Sequence, residues 1–204
     1  MIMNTALSFS GIYTNRLKIR KFKDEDLPEI LAYRNNSELN KYAHWEEPFT
    51  PTHGVSMINQ YHYLHPDSPG KKICLGLELL RSRELIGELC IKTDAIDTSQ
   101  VEFSITVIHR HQNQGLASEA AKGLFNYLFH RRGKNKVKAL CDARNIKLIE
   151  FLKKIGMRQE AFFRENLYSK NRWHDQCFMA ILKREWVHSS HASRLDFSQL
   201  FNSQ

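Results

Sequence analysis

The chain has 204 residues, 42% of them hydrophobic and 25% charged, with a net charge of +8 and a pI near 9.4. That length suits one domain and is short for two, and no run approaches the roughly 18 apolar residues of a membrane span. The N-terminal stretch MIMNTALSFSGIYTNRLKIR lacks the basic start and sustained apolar core of a secretory signal, so a cytoplasmic protein without membrane contact is expected, and its positive balance favours an anionic partner such as nucleic acid, a ribosomal surface or a phosphorylated cofactor.

Residues 1–13 read as a lead-in without a clear period, residues 14–186 as one domain, and residues 187–204 as a tail. Arg16 to Phe22 alternates apolar and basic side chains as a half-buried edge strand does. Asp24-Glu25-Asp26 before Leu27-Pro28 signals a helix start, and that helix runs to about Asn35, burying Leu27, Ile30, Leu31 and the stem of Arg34. Tyr42 to Phe49 is an aromatic and acidic loop suited to lining a pocket or plugging a surface turn. Thr50-Pro51 opens a second helix through about Tyr63, which the breaker cluster HPDSPGKK follows.

Ile73 to Leu80 and Glu84 to Ile91 read as a hairpin, and Val101 to Ile108 as its third antiparallel strand. After the Gln112 to Ala117 turn a helix runs from about Leu116 to Phe129. Val137 to Cys141 is a buried strand, and Asn145 to Lys154 an amphipathic helix stopped by Gly156. Arg158 to Leu167 and Trp173 to Leu182 form two further strands. In the tail, Leu195, Phe197, Leu200 and Phe201 suit a short docked helix or a disordered end. This order describes a single α+β, or mixed α/β, domain.

Cys74, Cys90, Cys141 and Cys177 are widely spaced in apolar contexts, which favours four reduced, buried thiols over disulfides or a metal site. His109 and His111 form an H-x-H without a third ligand at useful spacing, so no metal is expected. The basic cluster His130 to Lys138 reads as a solvated helix end. The Gln112-Asn113-Gln114-Gly115-Leu116-Ala117 turn is a Q-x-x-G-x-A sequence leading into a helix, where unpaired N–H groups and the positive end of the dipole suit phosphate.

These elements in this order resemble the GCN5-related N-acetyltransferase (GNAT) family. RLKIRKF, ELIGELCI, the Glu102 strand, GLASEA, the Asn145 to Met157 segment and FFRENLYSKNRWHDQCFMAIL resemble the branch that acetylates the N-terminal amine of ribosomal proteins. The likeness spans about residues 14–186. It implies a central, twisted, mostly antiparallel sheet flanked by helices. Acetyl-CoA is the implied acetyl donor, and no metal is implied. The CoA pyrophosphate would lie on Gln112, Asn113, Gln114, Gly115, Leu116 and Ala117, with Ser118 next in the helix. The pantetheine arm would run beside Val107 and Ile108, where the strand is splayed open at a bulge and offers unpaired backbone groups. Asn145 would contact the same arm or act as a helix N-cap.

Acetyl transfer needs a neutral amine. At pH 7 a lysine-like amine with a pKa near 10.4 costs roughly 4.6 kcal/mol to deprotonate, and an α-amine near 8 about 1.4 kcal/mol. The resemblance places the base at Glu102, acting directly or through water, with a backbone N–H near Val107 meeting the oxyanion. The family's positions for a proton donor to the leaving thiolate carry Leu152 and Leu148 here, which leaves unassisted departure, Tyr168 or lost activity. The acceptor stays open between a protein N-terminal α-amine and a small-molecule amine (polyamine, aminoglycoside or amino acid). A catalytically silent CoA- or RNA-binding member is the rival reading, and a homodimer and ribosome or RNA contact stay open as further associations.

Overall fold

The computed structural model describes residues 9–43, 45 and 48–188. The strand patterns assemble into one eight-stranded sheet in the order β1-β2-β3-β4-β5-β6-β8-β7. The strands are β1 (Ile12–Tyr13), β2 (Leu17–Arg20), β3 (Lys72–Leu79), β4 (Leu85–Thr93), β5 (Gln100–Val107), β6 (Lys136–Asp142), β7 (Arg158–Ser169) and β8 (Arg172–Leu182). Every neighbouring pair is antiparallel except β5 and β6. A parallel pair needs a crossover, and α4 (Leu116–Asn126) supplies it, running on through one π-helical stretch from Tyr127 to Arg131.

β3 and β4 are apolar almost throughout because both faces are covered. One face carries α1 (Leu27–Arg34) and α3 (Pro51–Tyr63), whose Tyr33 and Tyr61 hydroxyls reach Glu88 on β4 and Cys74 on β3. The short α2 (Ser37–Asn40) follows α1 and is capped by Asn36. The other face carries α4, where Phe103 of β5 meets Phe125 edge-on at 5.1 Å. α5 (Ile146–Lys154) packs under β7 and β8. α6 (Lys183–His188) sends the buried Trp186 against Phe125 and Phe129, and its indole N–H donates to Asn126.

Several expectations change. β2 is not an edge strand, because β1 forms inside the segment expected to be a featureless lead-in and pairs with it. α2 and α6 add helices that the apolar periodicity did not announce, since both are shorter than two turns' worth of pattern. Cys74 and Cys90 are joined as a disulfide, whereas Cys141 and Cys177 are free and buried. The two bonded cysteines are 16 residues apart in sequence, but the β3–β4 register sets them directly opposite each other. The basic cluster is laid out in ion pairs rather than left to solvent. Arg132 and Lys134 both reach Asp67, Lys136 reaches Glu160 at 2.5 Å and Lys138 reaches Asp94 at 3.1 Å. The expected apolar tail at Leu195, Phe197, Leu200 and Phe201 lies outside the described residues.

Candidate active site

The sheet opens at its centre. β5 is paired with β4 from Gly87↔Val107 to Thr93↔Val101, and β6 with β8 from Lys136↔Leu182 to Asp142↔Gln176. β5 and β6 share only Gln100↔Lys136, Val101↔Val137 and Glu102↔Lys138. Beyond Glu102 the two half-sheets part, leaving a wedge between Phe103–Val107 on one side and the end of β6 on the other. The β4–β5 register shows no shift, so the opening comes from divergence of two intact half-sheets and not from a bulge in β5.

The Ile108 N–H donates to Ile86 O at 2.9 Å, so its backbone donor is committed to β4 and is not an unpaired group. Backbone direction alternates along an antiparallel strand, which turns the amide of Val107 toward the wedge. The Val107 carbonyl is already taken by the Gln112 side chain at 2.8 Å. Gly87 sits opposite Val107 with φ +149°, and a Cβ there would lie 2.1 Å from Thr106 O. Only glycine allows β4 to close this tightly on the end of β5.

The loop backbone is bonded up to Gln112 N–H and again from Glu119 N–H, which donates to Gly115 O. Between them, among the described residues, the N–H groups of Asn113, Gln114, Gly115, Leu116, Ala117 and Ser118 meet no acceptor. Gly115 has φ +76°, and a Cβ added there would meet only the Arg16 guanidinium at 3.5 Å. Asn113 is also left-handed. Successive amides turned outward at the start of an 11-residue helix make a concave anion site. Arg16 adds a cation that neither composition nor spacing had marked. It is held at the turn by Glu119 at 2.6 Å and by Gln114 O at 3.1 Å. The donor set therefore suits a diphosphate. Asn145 caps α5, its side chain accepting from Leu148 N–H at 3.1 Å.

The even-numbered residues Glu102, Ser104 and Thr106 share the face of Glu88 and Cys90, toward α1 and α3. Glu88 was not marked in the sequence, yet it is the buried charge of this face, 2% exposed. It accepts from Tyr33 at 2.7 Å and from Arg34 at 2.6 and 2.8 Å. The Arg34 guanidinium lies 5.0 Å from the ring centres of both Trp45 and Phe49. Burial, then the Glu88 charge, pushes the Tyr33 phenol well above its ordinary value, so it remains a donor. Glu102 stands four residues below Thr106, about 13 Å along the strand, at the closed end of the wedge between the register partners Lys92 and Lys138. Among the described residues its carboxylate has no ion pair or hydrogen bond.

The far wall is the β7–β8 hairpin. Lys170 at its tip donates to Asn40 O of α2 at 2.7 Å, tying hairpin to helix. Asp142, Arg144 and His174 form a cluster behind it, with Arg144 bonded to Asp142 at 2.5 Å and to His174 Nδ1 at 2.7 Å. Tyr168 pairs with Trp173, whose side chain alternates away from that of His174. Tyr168 is 58% exposed, with its ring 5.3 Å from that of Trp173. Leu152 is fully buried and Leu148 packs on the core.

The sequence model of the Acetyltransferase (GNAT) domain matches residues 16–158. The chain belongs to the GNAT family. This GNAT chain is 31% identical over 176 residues to the uncharacterized N-acetyltransferase YnaD of Bacillus subtilis (strain 168), covering 86% of this chain and 98% of that protein. A GNAT-family acetyltransferase from Bacillus anthracis superposes with a TM-score of 0.76 at 26% identity, over 85% of this chain and 99% of the other. The spermidine N-acetyltransferase of Vibrio cholerae, solved with CoA and spermine, gives 0.73 at 20% identity, over 84% and 98%. The protein is an N-acetyltransferase with the mixed α/β GNAT fold.

Proposed function

We propose that this GNAT enzyme takes its acetyl group from acetyl-CoA laid in the β5–β6 wedge and passes it to the α-amine of a protein N-terminus. The run of outward N–H groups from Asn113 to Ser118 beneath the parted strands is the observation that carries the donor half. Those amides, with Arg16 beside them, would hold the diphosphate, and Asn145 would flank the pantetheine arm. Bound acetyl-CoA would supply a thioester acyl group. Val107 N–H faces the wedge and would donate to the acyl oxygen as charge develops there.

The amine would enter from the face of α1, α2 and the hairpin tip. Glu102 is the carboxylate of that face free to accept a proton, since Glu88 is committed to Arg34 and Tyr33. At about 13 Å along the strand from Thr106, which adjoins the Val107 amide, Glu102 would act through water. That suits an α-amine, which needs about 1.4 kcal/mol to lose its proton at pH 7, better than a lysine-like amine at roughly 4.6 kcal/mol. The net charge of +8 also disfavours a polycationic acceptor. We assign the leaving thiolate no protein acid, since Tyr168 is exposed and packed edge-on against Trp173.

Thiol release from acetyl-CoA across a panel of N-terminal peptides, spermidine and amino acids tests this reading. Peptides should turn over fastest. Faster turnover of spermidine would move the acceptor to the polyamines, and CoA binding without thiol release on any amine would make the chain a silent binder. Glu102→Gln should lower turnover about 10²-fold or more; an unchanged rate removes the base from that position. Tyr168→Phe should leave the rate unaltered, and a loss of about tenfold or more would give the phenol the acid role.

A further inference from the structure

The H-x-H segment that follows β5 plays no part in the chemistry above, yet it joins the two sides of the site. We propose that His109 is a positioning residue: a protonation-dependent latch between the acceptor-side helix α2 and the donor turn. The proposal rests on the donor-site reading of the Asn113–Ser118 amides. His109 Nε2 lies 2.8 Å from Glu38 Oε2 of α2, and its Nδ1 lies 3.2 Å from Gln112 Oε1. Gln112 Nε2 donates to Val107 O at 2.8 Å. A carbonyl can only accept, so the amide nitrogen of Gln112 must face Val107 and its oxygen must face His109. Both ring nitrogens of His109 therefore face acceptors, and only the imidazolium carries two N–H donors. A neutral ring satisfies one neighbour and releases the other.

The chain of contacts then runs Glu38, His109, Gln112, Val107. Its last member is the residue whose N–H faces the wedge, and Gln112 is the residue from which the turn departs. The surrounding charges hold the rest of the segment through other groups. Arg110 reaches Glu29 of α1 at 3.1 Å and Glu84, between β3 and β4, at 2.7 Å. His111 Nε2 meets the same Glu84 at 3.1 Å. Among the described residues, Glu38 and Gln112 are the groups that face His109. When solvent supplies the proton, α2 is drawn onto the turn and Gln112 is locked on Val107. When the proton leaves, the turn keeps Arg110 but loses α2. The latch closes toward low pH, whereas deprotonation of the amine improves toward high pH, so the two set opposite limbs of the activity profile.

Both partners are well exposed, His109 at 62% and Glu38 at 72% of their side chains, so the effect is on the scale of a surface pair, about two- to fivefold in affinity. Titration calorimetry of acetyl-CoA into the whole protein at about pH 5.5 and about pH 8.5 spans the histidine range. The unaltered protein should show a ratio of Kd between the two pH values about two- to fivefold larger than His109→Leu. The ligand's own phosphate titration is common to both and cancels in that comparison. His109→Lys keeps a cation toward Glu38 at both pH values and should lose the excess pH dependence while binding more tightly than His109→Leu at about pH 8.5. His111→Gln should keep the wild-type ratio. The latch is overturned if His109→Leu retains the wild-type ratio, or if His111→Gln abolishes it instead. Absence of acetyl-CoA binding by the unaltered protein at either pH would remove the donor-site reading itself, and the latch with it.

Discussion

The two halves of the sheet are built on different terms. The β1–β5 half is covered on both faces, and β4 is buried along almost its whole length. The β6–β8–β7 half is packed by α5 and α6, and no residue of the 12-residue β7 is buried. The first half carries charge inside: Arg20 joins Asp26 and Glu78, and Arg34 joins Glu88, all nearly inaccessible. The second keeps most of its charge at the rim and exposes Phe162, Phe163, Tyr168 and Trp173. Enclosure holds the backbone groups of the first half in place, which suits the donor role proposed for them. The open half is tethered at its tip by Lys170 to Asn40 of α2, on the side proposed for the acceptor.

Disrupting the enclosed half should therefore cost far more than trimming the open one. The largest effect is expected from Arg34→Met, which strands the buried Glu88 carboxylate and should lower stability by roughly 3–5 kcal/mol in denaturant melts. Converting Cys74 and Cys90 together to serine removes a cross-strand link closing 16 residues and should cost about 3 kcal/mol; an unreduced, alkylated sample should carry label on Cys141 and Cys177 alone after unfolding. Gly115→Ala forces a side chain into the left-handed region and should cost about 1–2 kcal/mol, with weaker acetyl-CoA binding by calorimetry. Phe163→Ser in the open half should change stability by less than about 0.5 kcal/mol, and a loss as large as that of Arg34→Met would erase the contrast between the halves.

Acid gives a graded version of the same comparison. Burial opposes ionisation of Glu78, but the Arg20 hydrogen bond and charge, helped by Lys23 and Arg83, hold its carboxyl below the usual range. A group depressed in the folded state adds stability above its unfolded pKa, near 4.5. It loses that stability as pH falls through the folded value. Thermal melts should stay level down to about pH 5 and fall below about pH 4.5, and Glu78→Gln should flatten that part of the curve.

Much of the frame was legible along the chain. Alternation marked β2, strand-like runs marked β3, β4, β5 and β8, and Thr50-Pro51 marked the start of α3, because each signal is set within a few residues of its own backbone. The Gln112 to Ala117 turn was legible for the same reason: a glycine between a strand pattern and a helix pattern marks a tight turn whose helix start leaves N–H groups unpaired. Glu88 was not. It sits in an apolar run, and its meaning comes from Arg34, 54 residues earlier. The helix pattern assigned Arg34 a buried stem, and its charged head was buried as well. His109 was set aside with His111 as an H-x-H lacking a third metal ligand, and its partners Glu38 and Gln112 come from a helix too short to show a period and from the turn itself.

The chain's own pattern thus determined the longer elements, their order and the phosphate-suited turn, all of which depend on local periodicity and backbone freedom. Tertiary structure decided the rest: where β5 and β6 part, which of two glutamates is neutralised and which is free, the pairing of Cys74 with Cys90, and the bridge that His109 makes from Glu38 of α2 to Gln112. Each of these depends on which strands become neighbours and on what they leave room for, and spacing along a single chain does not encode that distance.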